Sequence, residues 1–291
     1  MNLTAYLEQI AGELQQELAC LLPDTNTDSP LTAAMRYSVF NGGKRLRPAL
    51  FCSTVTALGS DYHPLLPYAA AIEMIHCYSL IHDDLPAMDN DDLRRGQPTC
   101  HIVYGEDMAI LAGDALLTLA AEILSRPLAD IPADRQLAAA KEIMSGAGDM
   151  VKGQALEIAA ANKNINIDLL TKIYRGKTAA LFQAAALGAA CLTGATAKQK
   201  EELTNYCLEL GLAFQITDDI LDIKGDEKVV GKRVGSDLKN DKLTFASIMG
   251  CDAAAIEAAN AAKRAVASLA SWGKEADILR AYPDFFVHRD H

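Results

Sequence analysis

MIHCYSLIHDDLPAMDNDDLRRG, residues 74–96, decides how this chain is read. An apolar helical stretch runs from Met74 to His82 and leads into Asp83, Asp84, Asp89, Asn90, Asp91 and Asp92. The helix is expected to end near residue 84, where it presents the negative end of its dipole. Six acidic or amide side chains within ten residues at that place repel one another and the dipole. Without a cation the arrangement is destabilising. Hard oxygen donors of this kind suit Mg²⁺ or Mn²⁺, which usually take one or two carboxylates plus phosphate oxygens. The competing reading is a solvated acidic loop, and the buried, apolar approach to the motif argues against it.

The pattern returns at Asp218-Asp219-Ile220-Leu221-Asp222. On a helix Asp218 and Asp222 share a face, and like charges at that spacing cost stability unless a cation bridges them. Leu210, Leu212, Phe214, Ile216, Ile220, Leu221 and Ile223 make the segment apolar nearly all round. A polar cluster on so buried a helix needs partners, which metal and ligand phosphate would provide. Two acidic helix ends suggest two walls of one cavity.

Helical periodicity extends from these motifs over the whole chain. Leu3, Tyr6, Leu7, Ile10, Leu14 and Leu18 form one stripe. Further helices are expected over about 48–59, 64–84, 105–125, 134–160, 168–193, 197–223, 252–270 and 274–287. Ser29-Pro30 reads as an N-cap followed by proline in the first helical position. Asn41-Gly42 ends a helix, and no run alternates as a strand would. The expected fold is all-α: one domain over residues 1–291, a bundle of about ten helices around a central cavity.

Bulk properties narrow the function. Half the residues are hydrophobic, 22% are charged, and the formal charge is −11. That balance disfavours nucleic acid as a partner. It also means that an anionic substrate must find local cations. The seven cysteines are odd in number and widely spaced, with no C-x-x-C, which points to a reducing cytoplasm. The amino-terminal segment lacks the features of a signal peptide. The segment Ala179–Ala195 is short for a membrane span and reads as a core helix, so no stable membrane insertion is expected.

Cations stand beside the acidic motifs. Gly42-Gly43-Lys44-Arg45-Leu46-Arg47-Pro48 combines open backbone amides with three positive charges at a helix start, a natural anion site. Arg94 and Arg95 follow the first motif, with a salt bridge to Asp91 or Asp92 as the structural alternative. Lys177-Thr178 opens an alanine-rich helix, and Lys232, Arg233 and Lys242 follow the second motif. His76 lies two turns before Asp83 on the same face, roughly 10 Å away; a lone histidine there is more often a core residue than a ligand. Serine-hydrolase, zinc-protease, P-loop and Rossmann motifs do not occur.

Taken together, GGKRLRP (42–48), SLIHDDLPAMDNDDLRRGQPTCH (79–101), LAGDALL (111–117), GQ (153–154), KTAALF (177–182) and GLAFQITDDILD (211–222) make the chain resemble the trans-polyprenyl diphosphate synthases, especially bacterial farnesyl diphosphate synthases. The resemblance runs from about Tyr37 to the C-terminal FFVHRDH. It implies that Asp83 and Asp89, assisted by Asp84, ligate two Mg²⁺ ions on an allylic diphosphate. Asp218 would ligate a third, with Asp219 and Asp222 orienting water or neighbouring groups. It further implies that Arg94, Lys177, Lys232 and Lys242 clasp the allylic diphosphate, while Lys44, Arg47, His76 and Arg95 hold isopentenyl diphosphate. Thr178 and Gln215 would turn oxygen dipoles toward the reacting carbons. The expected substrates are isopentenyl, dimethylallyl and geranyl diphosphate, and the family suggests a homodimer. Two positions depart from the family loop: Asp241 stands for its glycine and Ala246 for its proline.

Product length follows from the helix before the first motif. Tyr78 is five residues, about 7.5 Å, before Asp83, with Ser79 beside it. In the family, a bulky side chain here floors the tunnel, so a C15 product is expected and C20 is the runner-up. A terpene cyclase would carry a second metal motif ending in glutamate, which 240–248 lacks. A non-catalytic partner subunit typically loses one aspartate motif, and both are intact here.

Overall fold

The computed structural model describes residues 2–22, 29–160, 166–224 and 243–289. It is almost entirely helical. The helices are α1 (Leu3–Leu21), α2 (Pro30–Phe40), α3 (Leu46–Ala57), α4 (Leu66–Asp83), α5 (Cys100–Tyr104), α6 (Glu106–Ser125) and α7 (Ala133–Ala160). They continue with α8 (Ile167–Tyr174), α9 (Ala180–Thr193), α10 (Ala197–Lys224), α11 (Phe245–Met249), α12 (Cys251–Ser268) and α13 (Asp277–Val287). Ten of them run eleven residues or longer, as the sequence spacing indicates.

Local chemistry accounts for several boundaries. Ser29 caps α2 through a 3.4 Å bond from the Thr32 amide, with Pro30 in the first turn. The stripe Leu3, Tyr6, Leu7, Ile10, Leu14 and Leu18 is buried on α1. By contrast α4 and α9 are buried nearly all round, and they lie within the bundle rather than on its surface. One large apolar cluster takes in α1, α3, α4, α6, α7, α9 and α13, and a second gathers around α8, α10, α11 and α12.

Three features differ from the sequence reading. The expected continuous helix over 168–193 is interrupted by a π-turn, Arg175–Ala179, between α8 and α9. A two-residue hairpin pairs Leu93–Arg94 with Gln97–Pro98. Its corner is made by Arg95 and Gly96, both at positive φ, the geometry that turns two strands in two residues. Finally, the helix long and apolar enough to cross a membrane, among the described residues, is α6 and not the Ala179–Ala195 segment. All seven cysteines are free thiols.

Candidate active site

A cavity of about 1230 Å³ opens among α3, α4, α7, the π-turn, α10 and the C-terminal Arg289. Asp83, the last residue of α4, and Asp218 of α10 both line it. The two acidic motifs therefore do face one space. Burial pushes the Asp83 carboxyl up to about 6; Lys177 opposes the rise and Asp89 adds to it. A carboxylate so placed gains from a cation.

The family resemblance assigns six aspartates to the metal sites, Asp83 and Asp89 with Asp84 assisting and Asp218 with Asp219 and Asp222 orienting, and the structure gives them different partners. Asp84 is buried and turned away from the cavity onto Arg94, whose Nε donates to both of its oxygens at 2.8 Å while Nη2 donates at 2.5 Å. Burial works against the Arg94 charge, and Asp84, with Asp83 and Asp91, more than offsets it, so the pKa of Arg94 is raised. The salt bridge weighed as the structural alternative at Arg94 is present, but it falls on Asp84. Asp219 is equally buried. It accepts from the Tyr174 hydroxyl at 2.6 Å, the Phe245 amide at 3.2 Å and Gln215 Nε2 at 3.3 Å. A buried carboxylate must have its lone pairs filled, and in both motifs the second aspartate is filled by protein. The Asp89 amide donates to the Asp83 carbonyl at 2.9 Å, and its charge acts on the Asp83 carboxyl; Asp222 is buried one turn beyond Asp218. Neither lines the cavity. Among the described residues no three acidic, His or Cys groups stand close enough to hold a metal on their own.

The cationic wall is built on the loop before α3. Arg45 takes a left-handed conformation, φ 50°. It is held there by the buried Glu73 of α4 at 2.5 Å and by the Val39 carbonyl. The loop so fixed directs Lys44 and Arg47 into the cavity. Arg47 Nη1 reaches His76 Nε2 at 3.4 Å, and its guanidinium lies 4.5 Å from the centre of the Phe182 ring. Burial lowers the Arg47 pKa to about 10. His76 falls well below its usual range, through burial and then Arg47 and Arg95, so the ring is neutral and accepts. Arg95 donates to the Gly42 carbonyl. Gly43 sits at φ 108°, where glycine is favoured, and a Cβ there would lie 2.4 Å from that guanidinium.

Opposite this wall stands the π-turn. Gly153 of α7 meets Gly176 and Lys177 backbone to backbone; a Cβ on Gly153 would lie 2.1 Å from the Lys177 nitrogen. Lys177 Nζ donates to Glu157 at 2.6 Å. The Thr178 hydroxyl donates to Gln215 Oε1 at 2.6 Å, and Asp219 receives the other end of that amide. Lys232, Lys242 and Asp241 lie outside the described residues. Ala246 is buried in α11, which is opened by a capping box between Thr244 and Ser247.

Beyond the polar groups the cavity turns apolar. Tyr78, Leu85, Ile110, Met150, Val151 and Ile158 line it, with Ser79 alongside. The Tyr78 ring packs edge-on to His82 at 5.8 Å, and the Ser79 hydroxyl donates back to the His76 carbonyl. Sequence reasoning missed Arg289. Its guanidinium bonds Asp218 at 2.5 Å and lies 3.8 Å from the Phe214 ring centre. The partners are 71 residues apart, so no local spacing could reveal the pair. Glu73 was also missed, because one carboxylate on an apolar helix carries no motif.

Helices enclosing a cavity that is acidic at two helix segments, cationic between them and apolar beyond define a protein of the isoprenoid synthase fold. A family model described as polyprenyl synthetase matches residues 28–282. The chain is 42% identical to farnesyl diphosphate synthase of Escherichia coli (strain K12) over the full length of both. It is 45% identical to that of Geobacillus stearothermophilus, covering 86% of this chain and 85% of the relative. An apo crystal structure of an FPP/GFPP synthase from Zymomonas mobilis superposes with a TM-score of 0.86 at 36% identity, covering 98% of each chain. The chain belongs to the polyprenyl synthetase family.

Proposed function

We propose that this protein joins isopentenyl diphosphate to dimethylallyl and then geranyl diphosphate, giving farnesyl diphosphate. The observation that carries this reading is a single cavity in which Asp83 and Asp218 face one another's space, cations line both sides, and the far end is apolar. One anionic substrate fits the wall of Lys44, Arg47, His76 and Arg95. The other fits between Asp83, Asp218 and Lys177, with its hydrocarbon tail toward Tyr78. Relatives at 42% and 45% identity carrying the name farnesyl diphosphate synthase support the product.

In this reading Asp83, Asp89 and Asp218 are the direct Mg²⁺ ligands, Asp222 orients water, and Asp84 and Asp219 position their motifs. Three Mg²⁺ ions are expected per site, with Mn²⁺ as a substitute, and they would offset charge on the departing diphosphate. Lys177 stands where it can follow that charge as the allylic C1–O bond breaks and its electron pair leaves with the diphosphate. Arg94, which lines the cavity and braces Asp84, would join Lys177, Lys232 and Lys242 in clasping the allylic diphosphate. The double bond of isopentenyl diphosphate supplies the electrons of the new C–C bond. A proton then leaves C2 for an oxygen of the released diphosphate. Neutral His76 and the engaged Thr178 and Gln215 present no competing nucleophile. The apolar end excludes water from the cation.

The whole chain, 1–291, acts as one synthase domain in this reading. Exposed Ile102, Val103, Ile110 and Leu111 on α5 and α6 suit an interface with a second copy, so a cytoplasmic homodimer is proposed. Incubating the purified chain with isopentenyl and geranyl diphosphate in Mg²⁺ tests the function. A C15 diphosphate is expected. No condensation would overturn the reading, and a C20 product would move it to a geranylgeranyl diphosphate synthase.

A further inference from the structure

Tyr78 and His82 of α4 and Ile110 of α6 all line the cavity. Tyr78 and His82 are one turn apart and share a face of α4. Their rings meet edge-on, with centres 5.8 Å apart and planes at 75°. His82 is also tied to α6, where its Nε2 stands 3.1 Å from the Ile110 carbonyl. A carbonyl oxygen only accepts, so Nε2 carries the proton and donates.

The seat for this ring is made by a glycine. Gly113 is buried within α6, and a Cβ there would collide with Nε2, Cδ2 and Cε1 of His82. Glycine inside a helix is less favourable than alanine. Gly113 has ordinary helical backbone, so its conformation does not call for glycine. The histidine ring does. Three residues on two helices thus converge on the ring that packs against Tyr78. A tyrosine side chain turns about two soft torsions, so a ring that stops a growing chain needs such a support.

We infer that His82, seated on α6 by Gly113 and the Ile110 carbonyl, is a positioning residue for product length: it holds the Tyr78 ring in place at the apolar end and so sets where chain growth stops. His82 forms and breaks no bond. The inference rests on the proposed prenyl transfer and on Tyr78 as the tunnel floor.

The test uses the full-length chain with two variants. His82→Leu removes the ring and its hydrogen bond. Gly113→Ala denies the seat and leaves His82 and Tyr78 unaltered. Each is made alone and combined with Tyr78→Ala. Isopentenyl and geranyl diphosphate are supplied in Mg²⁺, and the dephosphorylated products are measured by mass spectrometry. Either variant alone should raise the C20:C15 product ratio at least about tenfold, the scale on which a hydrophobic pocket discriminates by size. In the Tyr78→Ala background the same changes should move the ratio by less than about twofold, because the residue they act through is gone. A second readout needs no turnover: Kd for geranylgeranyl diphosphate should fall about tenfold in both variants, while Kd for farnesyl diphosphate stays within about twofold. An unchanged C20:C15 ratio in folded His82→Leu and Gly113→Ala overturns the inference, as does a ratio that rises equally with and without the Tyr78 ring. If Tyr78→Ala lengthens the product and the seat variants do not, the floor stands without this support. A wild-type chain that makes no prenyl product would instead overturn the proposed function, and the Kd comparison would still decide the seat.

Discussion

At the end of α4 the buried Asp84 is held by a cation, Arg94, whereas in α10 the equally buried Asp219 is held by a tyrosine hydroxyl, a backbone amide and a glutamine. The sequences are nearly alike, and the environments differ. Asp83 and Asp84 sit at a helix C-terminus, where the dipole adds to their charge; a full positive charge answers it. Asp218 and Asp219 lie within a helix, short of its end at Lys224; there the cation, Arg289, sits on Asp218, and Asp219 takes neutral donors. What the two motifs share is the division of labour, one aspartate facing the cavity and the next holding the wall. A repeated motif can thus keep its geometry while its electrostatic support changes.

The strongest test treats the facing aspartates as equals. Asp83→Ala and Asp218→Ala should each lower kcat by at least about 10³-fold, with circular dichroism unchanged. Near-normal turnover by either would break the pairing of the two walls. Next come the supporting aspartates, where the motifs should part. Asp84→Ala strands Arg94, whose side chain is 25% exposed, and should cost about 3 kcal/mol. Asp219→Ala leaves the Tyr174 hydroxyl, the Phe245 amide and Gln215 unpaired and should cost about 1–3 kcal/mol. Urea denaturation measures both, and a reversed order would refute the contrast drawn here.

A smaller effect separates the helices further along. Only α4 carries a ring into the apolar end, at Tyr78; α10 carries Phe214, stacked under Arg289. Tyr78→Ala should lengthen the product to C20 or beyond, since each buried CH₂ gains about 0.8 kcal/mol. Phe214→Ala should leave the length at C15. Mass spectrometry of the dephosphorylated products distinguishes a floor from a packing residue. The smallest effect is on metal-free stability. The folded-state pKa of Asp83 is raised to about 6 from 3.8. Between those values the folded protein binds more protons than the unfolded chain, so stability falls as pH rises through that window. Asp83→Asn should therefore melt a few degrees higher than wild type at pH 7.5, and the difference should vanish near pH 4. Calorimetry in chelator would check it.

Much of this was legible in the sequence because its signals are local. The helices follow from periodicity, the α2 cap from Ser29-Pro30, and the facing of Asp83 and Asp218 from their motifs. What escaped depends on distant chain. Asp84 was grouped with the metal ligands because spacing cannot reveal that a hairpin returns Arg94 behind it. Arg289 reaches Asp218 from the other end of the molecule. Glu73 looks like an isolated charge until Arg45 arrives beside it. The π-turn left no trace in the apolar pattern, which stays helical on both sides of it.

That turn has a consequence for insertions and deletions. A π-turn closes its hydrogen bonds one residue later than an α-helix does, so Arg175–Ala179 acts as a one-residue slip in helical phase between α8 and α9. Removing one residue there would let an ordinary helix run through. Everything downstream would then rotate by about a quarter turn or more, carrying Phe182 away from Arg47 and the alanine face of α9 away from α7. Elsewhere on the surface a one-residue indel shifts a loop; here it would put the gearing of the bundle out of step. Length should therefore be fixed more tightly across 175–179 than residue identity is, Gly176, Lys177 and Thr178 excepted.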